Sequence, residues 1–132
     1  ANFMRANIYS AFATLAMGLE ILKNEDVAVD TLLGHGGLFK TPGVAQRYLA
    51  AAAGAPVTCM ETAGEGGPYG MALLAAYRLH RAEGETLADY LKTRVFAGAR
   101  STTVTPDAAD VAGFAAFLRE YERALKAERA VV

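Results

Sequence analysis

Apolar positions near the start of the chain fall at Ile8, Phe12, Leu15, Leu19 and Leu22, steps of 4, 3, 4 and 3 that place them on one stripe of a helix over residues 2–23. Small residues, Ala6, Ala13 and Ala16, leave other parts of that helix thin. "NED" at 24–26 ends it. "VAVDTLL", 27–33, is β-branched and then apolar, the pattern of a short strand buried on both faces. Thr41 is suited to an N-cap and Pro42 to a first helical position, so a second helix runs from there to Gly54, a residue type that commonly ends helices. "PVTCM", 56–60, reads as a second strand. A third helix covers roughly 68–82 and is broken by Gly84. Thr86 starts a shorter one, with Asp89 placed as in a capping box. "RSTTVTP", 100–106, is extended. Pro106 and Asp107 open a final helix reaching toward residue 129, with the seam Val111, Phe114, Leu118, Tyr121 and Leu125.

The predicted order is therefore α-β-α-β-α followed by C-terminal helices. Strands alternating with helices predict an α/β fold with parallel pairing and right-handed crossovers. Only two strands are clear in the pattern, and a two-stranded sheet is marginal in water. On this count the domain wants strands it does not have. The final seam covers about two heptads, fewer than a coiled coil needs, and is expected to pack on the domain itself.

At 132 residues the chain is one domain by length. A formal net charge of −1 argues against nucleic acid as a partner. No apolar run reaches the ~18 residues that span a membrane, and "ANFMRANIYS" lacks the layout of a secretory signal, so a cytoplasmic protein is expected. The single cysteine, Cys59, excludes an internal disulfide and a cysteine zinc cluster. It is expected to be a buried small hydrophobe. Alanine runs such as "YLAAAAGA" allow helices to approach closely, and with no Trp the core must come from Leu, Val, Phe, Tyr and Ala.

Two glycine-rich loops carry the candidate chemistry. "GHGGLFKTP" and "AGEGGPYG" each follow a predicted strand and precede a helix. That is the end of an α/β sheet where ligands collect, and helix N-termini there favour phosphate. Together the loops make a plausible nucleotide cleft. The dinucleotide fingerprint fails, because Gly34, Gly36 and Gly37 are followed by Phe39 at the position a third glycine should hold; no phosphate-loop motif is present either. The alternative is two tight turns that use glycine for positive φ. His35 reads as a turn residue, Glu65 as helix N-terminal charge, Lys40 as either a phosphate partner or a solvated loop residue. Asp107 and Asp110 read as N-terminal charge on the last helix, and no metal site is expected.

"GHGGLFKTPGVAQRYLAAAAGAPV" followed by "GEGGPYGMALLAAY" resembles the C-terminal part of the FGGY carbohydrate kinases, of the ribulokinase and xylulokinase type. "RANIYSAFATLAMGLEIL" is similar to the helix before the first of these strands, and "VTPDAADVAGFAAFLREYERAL" to the family's closing segment. The resemblance implies a partial ribonuclease-H-like domain of the actin-like ATPase type. Residues 1–132 would then be the C-terminal half of the ATP-binding domain of a sugar kinase, with the first strands, the N-terminal domain and the catalytic aspartate on other segments. It further implies that ATP and Mg2+ serve the full enzyme, with a sugar as substrate. Gly36 and Gly37 would lie against phosphates and ribose, Lys40 and Thr41 near adenine, and Gly70 would permit close helix packing. His35 and Pro68-Tyr69 depart from the family's small residues at those places. A non-catalytic association module, dimerising through exposed edges and apolar faces, and a nucleotide-binding regulator are the other expectations.

Overall fold

The computed structural model describes residues 2–130. Helix α1 (Asn2–Asn24) leads to strand β1 (Leu32–Leu33); helix α2 (Val44–Ala53) leads to β2 (Val57–Met60). Then come α3 (Gly66–His80), the short α4 (Leu87–Tyr90) continued by a π-turn over Leu91–Val95, β3 (Ser101–Val104) and α5 (Ala108–Arg129). The α-β-α-β-α order and the closing helix follow the sequence pattern. The sheet departs from it. It has three strands in the order β1-β2-β3, with β1 parallel to β2 and β3 antiparallel to β2. The extended stretch before Pro106 thus supplies a third strand. It can pair because α3 and α4 carry the chain away and back, so that β3 returns in the opposite sense.

β1 is much shorter than the expected strand over 27–33, and it is not buried on both faces. Only Leu32 and Leu33 find partners, Val57 and Thr58, and Leu33 is 65% exposed. The row Leu32, Val57 and Val104 faces the helices, with Val57 fully buried. The next row, Leu33, Thr58 and Thr103, faces away, and its two threonine hydroxyls lie 2.8 Å apart.

Helix α2 is the centre of the molecule, packed on α1, α5 and β2. Its alanines make this possible: Ala45, Ala50 and Ala51 are buried, and their small side chains let the neighbouring elements close in. The stripe of α1 that meets this surface is Tyr9, Phe12, Ala13 and Ala16. Of the stripe expected from the spacing, Phe12 is buried and Ile8 packs on the core, whereas Leu15 and Leu22 are exposed. Tyr9, Ala13 and Ala16 complete the inner face in their place. Tyr9 anchors the contact, meeting Tyr48, Phe114 and Phe117 edge-on at centroid distances of 5.4, 5.2 and 5.4 Å. The α5 seam packs on the domain's own core through Val111, Phe114 and Leu118.

Helix α2 begins two residues later than expected. Thr41 is not its N-cap. Thr41 ends a 3-10 turn, Gly37–Lys40, in an extended conformation that Pro42 enforces on its predecessor, and Gly43 at φ 76° then turns the chain into the helix. The stop at Gly54, φ 66°, is as expected. So is the cap of α4, where Thr86 Oγ1 accepts from the Asp89 N–H. Gly70 is exposed in α3, and a Cβ there would meet nothing within 4 Å, so no close packing requires it among the described residues.

Candidate nucleotide cleft

The two glycine-rich turns meet. The Gly36 N–H donates to the Ala63 carbonyl at 2.7 Å, and a Cβ on Gly66 would stand 3.4 Å from the Gly36 Cα. A Cβ on Gly64 would lie 3.1 Å from Lys40 Cγ. Contact this close between two backbones is what the bare sequence provides. Gly36 at φ 102° and Gly66 at φ 53° also hold conformations that side-chain-bearing residues rarely adopt.

Gly34 serves a different close approach. Its N–H donates to the Thr58 carbonyl at 2.9 Å, continuing the parallel pairing past β1. A Cβ at this position would stand 2.5 Å from Phe39 Cε1 and 2.7 Å from Cys59 Sγ. The first glycine therefore seats the Phe39 ring over the end of the sheet.

Beside these turns lies a cleft of about 690 Å³. One wall is the segment from Phe39 to Gly43 with Gln46 behind it; another is the end of β2, Cys59 to Glu61. The Ala63–Glu65 turn and the start of β3, Arg100 to Thr102, complete it. Of the expected site residues, Lys40 and Thr41 border this space, whereas Gly36 and Gly37 do not. Gly36 instead joins the turns behind it. Cys59 is half-buried at the cleft wall, not sealed in the core, and burial raises its thiol pKa. His35 is exposed in the turn.

Three residues that tie α2 to its neighbours had no signal in the hydrophobic pattern. Gln46 is buried in the first turn of α2, and its Nε2 donates to the Val57 and Thr102 carbonyls, 2.7 Å each, tying α2 to both β2 and β3. One turn face away, Arg47 forms an ion pair with Asp110 of α5. Asp110 is thus a buried partner across the helix interface, beyond the N-terminal charge expected of it. Asp107 is more than N-terminal charge: it caps α5, accepting from the Ala109 and Asp110 N–H groups. An acidic residue or glutamine among alanines in a helix carries no mark of what it will meet.

Glu61 and Arg100 stand at the far rim, 3.9 Å apart, and the Glu61 N–H donates to the Arg100 carbonyl, extending the β2–β3 ladder. Among the described residues, no three His, Cys, Asp or Glu side chains gather to hold a metal ion, and no helix is long and apolar enough to cross a membrane.

A small α/β unit whose glycine turns meet beside a cleft at the carboxyl ends of two parallel strands is an arrangement suited to a nucleotide. Residues 1–79 match the family model described as the FGGY family of carbohydrate kinases, C-terminal domain. The match spans more than half of the chain, and the chain belongs to this family. It covers α1, β1, α2, β2 and all but the last residue of α3, while β3 and α5 lie beyond it. No curated protein and no solved structure matches the chain.

Proposed function

We propose that this chain is the second half of the ATP-binding domain of a cytoplasmic carbohydrate kinase, one that phosphorylates a hydroxyl of a ketopentose such as ribulose or xylulose. The observation that carries this reading is the direct contact of the two glycine turns, Gly36 on Ala63 and Gly66, beside a cleft that Lys40 and Thr41 border. Its volume is in the range of small-molecule sites. Lys40 offers a cation to an anionic ligand. Phosphoryl transfer depends mainly on positioning and charge neutralisation, and this chain contributes the positioning of the nucleotide. Magnesium would neutralise phosphate charge when bound; among the described residues no three His, Cys, Asp or Glu side chains gather to hold it.

The cleft lining contains Glu61 and Glu65 but no aspartate. We place the catalytic base and the sugar pocket on other segments of a complete kinase, and expect no sugar phosphorylation by this chain alone. Calorimetric titration with ATP, ADP and NAD tests the reading. Adenine nucleotides should bind, and Lys40→Ala should weaken ATP several-fold. Preference for NAD, or turnover of ribulose or xylulose by this chain, would overturn it.

Association with a second copy is a further reading, drawn from α3. None of its residues is buried, and Met71, Leu74 and Leu79 are exposed. Sedimentation equilibrium across a concentration range distinguishes a dimer from a monomer.

A further inference from the structure

Gln46 is about 3% exposed and borders the cleft. Its two strongest partners are main-chain carbonyls, Val57 of β2 and Thr102 of β3, each 2.7 Å from Nε2. Carbonyl oxygens only accept, so the amide must turn its NH2 toward them, and its orientation is fixed by chemistry. The other end, Oε1, is thereby presented to Thr102 Oγ1 at 3.3 Å. An amide oxygen also only accepts. The Thr102 hydroxyl is the donor that reaches Gln46 Oε1, and while it donates there it turns lone pairs toward the cleft that it also borders.

We propose that Gln46 is a positioning residue that biases the Thr102 hydroxyl toward accepting, and that Thr102 thereby favours a cleft ligand presenting an N–H or O–H donor at this wall. A free threonine hydroxyl would rotate to suit either a donor or an acceptor; here the Gln46 amide oxygen tilts that choice toward accepting. A nucleotide carries suitable donors on the amino group of its base and on its ribose hydroxyls. A ligand presenting an oxygen acceptor at the same point would meet lone pairs and bind less well. The inference rests on the nucleotide reading above. It assigns ligand discrimination to β3, which lies outside the residues matched to the family.

The test is a calorimetric titration of the wild type, Thr102→Ser, Thr102→Val and Gln46→Met with four ligands. These are ATP, inosine triphosphate (the base amino group replaced by a carbonyl), 2′-deoxyATP and 3′-deoxyATP. Thr102→Ser should bind ATP like the wild type. Thr102→Val, nearly the same shape at an exposed position, should bind ATP about three- to tenfold more weakly. One donor-deleted ligand should then bind Thr102→Val as well as ATP does, because deleting donor and acceptor together costs no more than deleting either. Gln46→Met frees the hydroxyl and should shrink the wild-type preference for ATP over that ligand. This readout is a ratio of affinities, which a loss of folded protein does not move. If Thr102→Val binds all four ligands in wild-type proportions, the inference fails while the nucleotide reading stands. If the wild type binds no ATP, both fail.

Discussion

Arg47 of α2 and Asp110 of α5 are 63 residues apart in sequence and joined by an ion pair that fastens the closing helix to the central one. The two partners are not equivalent. The Asp110 side chain is 9% exposed and that of Arg47 is 56% exposed. Removing the arginine strands a carboxylate in a place where water reaches it poorly, whereas Asp110→Asn removes the charge and keeps the shape. Arg47→Ala should therefore lower Tm by more than Asp110→Asn, and the double variant should recover part of the loss. Thermal melts of the three variants check this. Equal and additive losses would show that the pair contributes nothing beyond its separate side chains.

Glycine positions should respond to alanine in opposite directions. At Gly34 the new methyl would fall 2.5 Å from the Phe39 ring and 2.7 Å from Cys59 Sγ. Overpacking of this kind costs about 1–3 kcal/mol. Gly18, exposed in the middle of α1, has nothing within 4 Å of its would-be Cβ. Gly18→Ala should stabilise by roughly 0.5–1 kcal/mol, since it removes only the entropic penalty of glycine in a helix. Urea denaturation of both variants measures the contrast. Adding Phe39→Leu to Gly34→Ala should restore part of its stability by making room for the methyl.

These two glycines mark the boundary of what the sequence makes legible. Helix periods, the stop at Gly54, the cap at Thr86 and the opening of α5 at Asp107 are local, and local chemistry decides them. The candidate loops were legible for a similar reason, because glycine density after a strand announces bare backbone. The buried side of α1 was legible only in part, at Ile8 and Phe12. Leu15 and Leu22 are more hydrophobic than Ala13 and Ala16, yet the alanines face inward beside Tyr9 and Phe12. That choice depends on the shape of a partner 30 or more residues away. The sequence marks β3 as extended but without a partner, since its partner in β2 is reached only after α3 and α4 reverse the chain. Gln46 and Asp110 look like ordinary helix residues until the elements they join are in place.

The N-cap of α5 provides a third test. Asp107 Oδ1 accepts from the Ala109 N–H at 3.0 Å and the Asp110 N–H at 3.1 Å. Without it, two of the helix's free donors lose their partner, and a favourable negative charge leaves the N-terminus. Asp107→Ala should cost about 1 kcal/mol, and Asp107→Asn or Asp107→Ser considerably less. Chemical denaturation at neutral pH orders the three. If all three variants were equally destabilised, capping would not be the cause.

Alkaline pH should weaken the fold in two stages. Burial raises the pKa of the Cys59 thiol, and burial likewise raises that of the Tyr9 phenol. Each group holds its proton more tightly folded than unfolded. Its contribution is complete below the unfolded value, 9.0 for the thiol and 10.0 for the phenol, and is lost as pH rises through the folded one. Urea midpoints should thus be flat with respect to these two groups at neutral pH and should decline above about pH 9. Cys59→Ala should remove the earlier part of the decline and leave the later part. A rise in stability over the same interval would contradict the assignment.

Helix α3 should be the least protected of the long helices. It has 15 residues, none of them buried, whereas the ten-residue α2 buries five. Packing supplies most of a helix's stability in a folded protein, and propensity alone holds helices of this length weakly. The contacts of α3 are peripheral: Tyr77 stacks edge-on with Tyr90 at 5.4 Å and donates its hydroxyl to the Glu85 carbonyl, both within the α3–α4 excursion. Opening α3 therefore need not disturb Tyr9, Leu49 or Val57. Native-state hydrogen exchange should show α3 amides exchanging through a local opening of low free energy, while those of α2 exchange only with global unfolding. Tyr77→Phe should speed exchange in α3 and leave α2 unchanged. Matching protection of α2 and α3 in the wild type would mean that the excursion and the core unfold as one unit.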